Sequence, residues 1–231
     1  MASLGFPDGE DIGRGEYIRA VKRISRALSI PLSVDAVAGF GRTPREVAVT
    51  VKMIITAGAV GLNIEDFDHA TKRLFPVRLQ VEKLKAIRKV GELLGIPIVI
   101  NARTDALRYS QGSEEGRFNE AVMRGRAFRD ADADCVYPMG LVDPKSISSY
   151  AKALDFPINV MVRKGLPTLS VLGELRVARV SFGPGASYAA LGLLRRISRE
   201  ILAKGTYDSL VEGSITFDEL NGLAMRRRPL Q

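Results

Sequence analysis

A single cysteine, Cys135, and a single histidine, His69, stand among 231 residues. One thiol cannot build a disulfide framework or a multi-cysteine zinc site. One imidazole leaves no histidine-rich metal centre and argues against an intrachain Ser-His-Asp relay. No apolar run reaches the ~18 residues that a membrane helix requires, and the first residues lack a basic-then-apolar leader. These absences predict a soluble, cytoplasmic protein with no membrane partner. Cys135 sits inside an apolar segment and reads as buried filler. His69 reads as a surface residue of a loop over 67–76 rather than as an acid-base catalyst.

The chain is 46% hydrophobic and 26% charged, enough apolar material for a sizeable core. Its net charge of +8 permits attraction to nucleic acid or to anionic small molecules. The bases are scattered along helical segments (Arg19, Lys22, Arg23, Arg26; Lys83, Lys85, Arg88, Lys89), a spacing that predicts solvated helix faces. The one dense run, Arg226-Arg227-Arg228, falls in a polar tail. No aromatic residues interleave with the bases, so nucleic acid is not an expected partner.

Helical and strand patterns alternate throughout. Tyr17, Val21, Ile24 and Leu28 recur at helical spacing. Thr43-Pro44-Arg45-Glu46 is a capping box with proline at the first helical position. Further helices are expected over 77–94, 114–131, 169–175 and 186–203. The last of these should turn Tyr188, Leu191, Leu194, Ile197 and Ile201 inward. Asp143-Pro144 opens another helix, and Thr216 with Glu219 forms a second capping box. Six short apolar stretches intervene: 30–36, 59–65, 96–104, 133–139, 157–162 and 177–183. That order implies parallel strands joined by right-handed crossovers, in a barrel or an open doubly wound sheet. No glycine-rich dinucleotide fingerprint follows the first strand, which weakens the open-sheet version.

In either architecture chemistry gathers at the C-terminal strand ends. Those ends carry Asp35, then Glu65 with Asp66, then Arg103 with Asp105. Carboxylates on neighbouring strands suit a hard divalent cation. An adjacent arginine suits the carboxylate of an anionic substrate. The competing reading is a structural ion pair in which Arg103 neutralises Glu65 or Asp66. The turn around Gly183, in Phe182-Gly183-Pro184-Gly185, would either cradle an anion on backbone N–H groups or simply reverse the chain.

The segments PLSVDAVAGFGRTPREVAVTVKMIITAGAVGLNIED, PIVINARTDAL and RVSFGP, taken together, resemble the isocitrate lyase/phosphoenolpyruvate mutase superfamily. The likeness runs from LGFPDGED (4–11) to about Tyr207. It implies an α/β fold of the (β/α)8 TIM-barrel type, of which six βα units are visible, matching family strands three to eight. It implies a barrel domain over 1–207 and a helical tail over 208–231 that is swapped between subunits of a dimer or tetramer. It further implies Mg2+, with Mn2+ as a substitute, held by Asp35 and Glu65. Arg103 would grip a small α-oxo acid, Gly183 would contact it, and Asp8, in the gating LGFPD segment, would close over the site as a catalytic acid. The implied chemistry is cleavage or rearrangement of a C–C or P–C bond through an enolate, as in oxaloacetate decarboxylation or a phosphonomutase reaction.

Three local departures weigh against particular branches. Val37 stands where the family pattern has a second carboxylate. Met139 replaces the glutamate of the lyase branch, and residues 67–76 contain none of that branch's cysteine. With the two leading strands not visible, a six-stranded sheet would leave two edges to cover. The alternative to an enzyme is therefore a degenerate relative that binds an oxo acid or only oligomerises.

Overall fold

The computed structural model describes residues 4–225 and forms two compact units, one ending at Ser181 and one beginning at Phe182. The arginine run 226–228 lies outside the described residues. In the first unit, helix α1 (Arg14–Ala27) precedes strand β1 (Ser33–Asp35), helix α2 (Pro44–Thr56) and strand β2 (Gly61–Glu65). A two-stranded hairpin follows, β3 (Phe67–Asp68) and β4 (Arg73–Leu74), then α3 (Val77–Leu93) and β5 (Val99–Thr104). Next come α4 (Ala106–Tyr109), α5 (Glu114–Arg129), β6 (Cys135–Pro138), α6 (Pro144–Leu154), β7 (Ile158–Met161), α7 (Leu169–Glu174) and β8 (Val177–Ser181). The second unit holds α8 (Gly185–Lys204), α9 (Asp208–Val211) and α10 (Phe217–Met225).

The main sheet is six-stranded, all parallel, in the order β1-β2-β5-β6-β7-β8. It curls into a half-barrel with helices around it, the TIM-barrel type of α/β fold. All six expected strands are present. Capping places the helices as their sequences dictate. The Thr43 hydroxyl accepts from Glu46 N at 3.3 Å while Glu46 Oε2 accepts from Thr43 N at 2.9 Å, so both halves of the box close. Asp143 caps α6 by accepting from Ser146 N at 2.9 Å.

Period-two alternation then sorts the strand side chains. Leu62, Ile64, Ile100 and Val136 are fully buried and belong to one apolar cluster with Val47, Val51 and Ile54 of α2, Leu84 and Ile87 of α3, and Phe128 of α5. Each such side chain contributes about 1.5–3 kcal/mol of transfer free energy. The intervening residues, Asn63, Glu65, Asn101 and Arg103, share the opposite face.

Three expectations are corrected. The segment over 67–76 is not an open loop. Asp68 ties it into a hairpin by accepting from Ala70 N at 3.0 Å, Thr71 Oγ1 at 2.8 Å and Arg42 Nη2 at 2.5 Å. In α8 only Ile197 of the five expected inward residues is buried; Tyr188, Leu191, Leu194 and Ile201 are exposed. Periodicity identifies an apolar face but not what covers it. The basic residues of α3 are not uniformly solvated, because Lys83 is 0% exposed.

Lys83 Nζ donates to the carbonyl oxygens of Gly41 at 3.1 Å and Ala38 at 3.4 Å and lies 3.6 Å from the Phe75 ring centroid. It pins the β1–α2 turn to α3 by satisfying carbonyls that would otherwise be orphaned. Burial pushes its ammonium down from 10.5 to about 8. The folded protein therefore sheds this proton before the unfolded chain does. Below about pH 8 the desolvation penalty is fully present; between about 8 and 10.5 the unfolded chain binds the extra proton, and stability gains with rising pH. Comparing denaturant unfolding of the wild type and Lys83→Met across that window should show this gain in the wild type only. Parallel pH profiles would contradict the assignment.

Candidate active site

Register decides which strand-end residues meet. Asp35 pairs with Asn63 and Asn63 with Asn101, which sets one layer; Glu65 pairs with Arg103 and Arg103 with Tyr137, which sets the next. In-register neighbours on parallel strands point to the same face, so the two layers stack on the inner side of the curled sheet.

In the lower layer Asn63 Nδ2 donates to Asp35 Oδ1 at 3.0 Å, and Asn101 Nδ2 donates to Asn63 Oδ1 at 3.0 Å. Val37 N also donates to Asp35 Oδ1, at 3.1 Å, leaving Oδ2 without a protein donor among the described residues. Asp35 itself is exposed, on the edge strand β1. Val37 adopts φ 54, a left-handed conformation seldom found for a β-branched residue, and its carbonyl accepts from Glu65 N at 2.8 Å. The turn after β1 is thus held in a strained shape directly beside the acids.

In the upper layer Arg103 Nη1 lies 2.8 Å from Glu65 Oε2, and its Nη2 donates to Asp105 Oδ1 at 2.9 Å. Arg103 Nε approaches Asp105 Oδ2 at 2.8 Å but out of line, so both atoms are buried without a proper hydrogen bond. His69 Nε2 bonds Glu65 Oε1. Desolvation holds the Glu65 carboxyl above its usual range, with Asp105 and Asp35 adding repulsion against the lowering effect of His69 and Arg103. The bond to Glu65 raises the His69 imidazole in turn. Tyr137 donates to Met139 Sδ at 2.9 Å, so this sulfur is buried as an acceptor in this layer.

Glu65 and Asp66, adjacent in sequence, part company. Glu65 joins the inner layer. Asp66 turns to the other side, where it accepts from Thr104 Oγ1 at 2.8 Å, Asp105 N at 2.9 Å and Arg124 Nη1 at 3.0 Å. It is a buried brace between the strand ends and α5. The structural ion-pair reading is realised for Glu65, not for Asp66.

Asp8 is exposed and makes no ion pair among the described residues, yet its segment lies close by. A Cβ built on the buried Gly9 would sit 3.6 Å from His69 Nδ1, and Glu10 Oε1 accepts from Phe40 N at 2.6 Å. Gly183 has φ 51 in the turn before α8, and Gly185 N donates to Phe182 O at 2.9 Å. Sequence reasoning did not single out Asn63, Asn101, Tyr137 or Arg124. An asparagine in the middle of an apolar strand is the signal that marks the first two.

A match to the phosphoenolpyruvate phosphomutase family model spans residues 1–202. The chain belongs to this family, within the phosphoenolpyruvate mutase/isocitrate lyase superfamily. Among its relatives, 2-methylisocitrate lyase of Escherichia coli is 31% identical over 229 residues, covering 94% of this chain and 75% of that protein. Oxaloacetate decarboxylase of a Bradyrhizobium species is 32% identical over 188 residues, 78% of this chain and 61% of that protein. A solved Burkholderia cenocepacia protein, provisionally assigned as a lyase/mutase, superposes with a TM-score of 0.87 at 30% identity, covering 96% of this chain and 78% of that one. These named relatives act on small organic acids, 2-methylisocitrate and oxaloacetate.

Among the described residues no cluster of three or more acidic, histidine or cysteine side chains is arranged to hold a metal. The oxygen chemistry nevertheless fits a hard cation: among the described residues Asp35 Oδ2 has no donor and Asp105 Oδ2 is a buried, unsatisfied acceptor. Glu65 would have to exchange one of its present partners, His69 or Arg103. Among the described residues no helix is long and apolar enough to cross a membrane.

Proposed function

We propose that this family member is an enzyme acting on a small α-oxo acid, breaking or rearranging a C–C or P–C bond through an enolate. One observation carries the reading: Glu65, Arg103 and Asp105 converge, mutually paired, in a buried layer directly above Asp35. Arg103 supplies a permanent positive charge, and its planar fork suits a substrate carboxylate. Asp105 and Glu65 hold that fork in place before substrate arrives, which lowers the cost of ordering it. Asp35 and Glu65 would hold Mg2+, or Mn2+, which when bound supplies electrostatic stabilisation for enolate charge. Asp8 would close over the ligand from the segment that passes near His69 at Gly9. Val37, in place of a family carboxylate, leaves one fewer oxygen for the metal shell and predicts weak cation affinity.

Titration calorimetry with Mg2+ and oxalate, an enolate mimic, tests this reading. Binding should be saturable and fall about tenfold or more in Asp35→Ala. Heats identical in the two proteins would remove Asp35 from the site.

A homo-oligomer, a dimer or tetramer through α8–α10, is the proposed assembly. Tyr188, Leu191, Leu194 and Leu202 of α8 and Phe217, Leu220 and Leu223 of α10 all lie exposed, more apolar surface than a solitary chain ordinarily shows. A monomeric mass in sedimentation equilibrium would remove this part of the proposal.

A non-catalytic oxo-acid binder is the second reading, favoured by the full engagement of both Glu65 oxygens. Turnover of oxaloacetate or a phosphonopyruvate-type substrate in the presence of Mg2+ separates the two.

A further inference from the structure

A cavity of about 620 Å3 opens beside the β3–β4 hairpin, lined by residues that include Lys72, Arg73, Tyr109, Gly116, Glu120 and Arg124. It shares no lining residue with the strand-end cluster of Asp35, Glu65 and Arg103. Three cations and one carboxylate face this space, and the carboxylate is already committed: Glu120 Oε1 accepts from Arg124 Nε at 2.8 Å. Arg124 is buried, its side chain 7% exposed, with Nη1 spent on Asp66 at 3.0 Å and the Phe75 carbonyl at 2.9 Å. Its Nη2 makes no hydrogen bond among the described residues. Lys72 and Arg73 are exposed and enter no ion pair among the described residues.

The surroundings are built rather than accidental. Lys72 is held at φ 57, a left-handed conformation uncommon for lysine, by a bond from its N–H to Asp68 O at 2.8 Å. Tyr109 stacks on Phe67 of the hairpin with ring centroids 4.1 Å apart and planes inclined by 18°, which forms one wall. Gly116, in the first turn of the 16-residue helix α5, brings the positive end of a helix dipole to the lining. Gathering like charges around one concavity costs electrostatic energy, and a bound anion offsets that cost.

We propose that this cavity binds a small multivalent oxyanion, a phosphate or a polycarboxylate, on Lys72, Arg73 and Arg124. Two residues would link the bound anion to the strand-end cluster, because Arg124 braces Asp66 and Asp66 in turn holds Thr104 and the backbone of Asp105.

The test is calorimetric titration of the full chain, in buffer passed over chelating resin so that neither divalent cation nor free chelator is present, with inorganic phosphate in one series and tricarballylate in another. Saturable binding of either anion is expected, and the series that binds identifies the source. Arg73→Ala and Lys72→Ala should each weaken it about tenfold. Both residues are exposed, so the fold is retained. Arg78→Ala removes an exposed cation outside the cavity and should change nothing. Absence of saturable binding for both anions overturns the proposal, and so does binding indifferent to Arg73→Ala and Lys72→Ala. An equal loss in Arg78→Ala would show mere screening of net charge and overturns it as well. None of these outcomes depends on metal or oxo-acid binding at Asp35 and Arg103.

Discussion

Arg103→Met should lower the unfolding free energy by roughly 3–5 kcal/mol, the usual penalty for removing one partner of a buried ion pair. Two carboxylates face this guanidinium: Glu65, at 2.8 Å, and Asp105, whose side chain has no exposed surface. Methionine keeps most of the volume, so cavity formation contributes little and the loss is electrostatic. Glu65 retains His69 and the carboxyl of Asp105 is left with little compensation, so the two acids repel at close range. Adding Glu65→Gln to Arg103→Met removes one of the stranded charges and should return part of the lost stability. Denaturant unfolding of the two single variants and the double variant gives the coupling directly. Additive losses would mean that the Arg103–Glu65 contact carries no energy of its own. The same substitution should abolish oxo-acid binding, since it removes the guanidinium fork held between Glu65 and Asp105 that would grip the substrate carboxylate.

Arg124→Met should be comparably costly, again roughly 3–5 kcal/mol near neutral pH, for a different reason. Arg124 is the counter-ion of Asp66, which has no exposed surface, and it also satisfies the Phe75 carbonyl. Burial already pushes the Asp66 carboxyl up to about 6, and Arg124 is the strongest influence acting in the opposite direction. Without it the carboxyl rises further, and the folded state takes up a proton that the unfolded chain, with an aspartate near 3.8, does not hold. The variant's penalty for a buried anion is therefore full above that raised value and is relieved as the pH falls through it. The stability gap between wild type and Arg124→Met should narrow on acidification from pH 7 towards pH 5, measured by urea unfolding at each pH. A gap constant with pH would exclude Asp66 as the stranded group. Glu120 also loses its Nε partner, but it lies nearer the surface, where an ion pair is worth little.

These two arginines mark the boundary of what was legible in the chain. The strand ends, and with them Asp35, Glu65 and Arg103, follow from apolar runs ending in charge. The helix starts at Thr43 and Asp143 follow from capping chemistry, which needs only neighbours three residues away. Arg124 did not stand out, because an arginine at an ordinary helical spacing looks solvated until a carboxylate 58 residues distant is placed against it. Lys83 misled for the same reason: its acceptors lie 42 and 45 residues away, in a turn whose carbonyls have no local partner. Sequence alone makes His69 a loop residue, whereas the hairpin that delivers it to Glu65 depends on the Asp68 tie to Arg42, across 26 residues.

What the chain order alone determined is the parallel sheet of alternating strands and helices and its rim of charge. Short-range pattern suffices for that, since the period of two in strands, the period of 3.6 in helices and local caps are all properties of adjacent residues. What only the tertiary structure decided is the fate of the neighbouring acids Glu65 and Asp66. Alternation sends one to the inner layer with Arg103 and the other to the helix layer with Arg124. Which of the two faces holds chemistry and which holds a brace depends on the direction in which the sheet curls, a property of all six strands together.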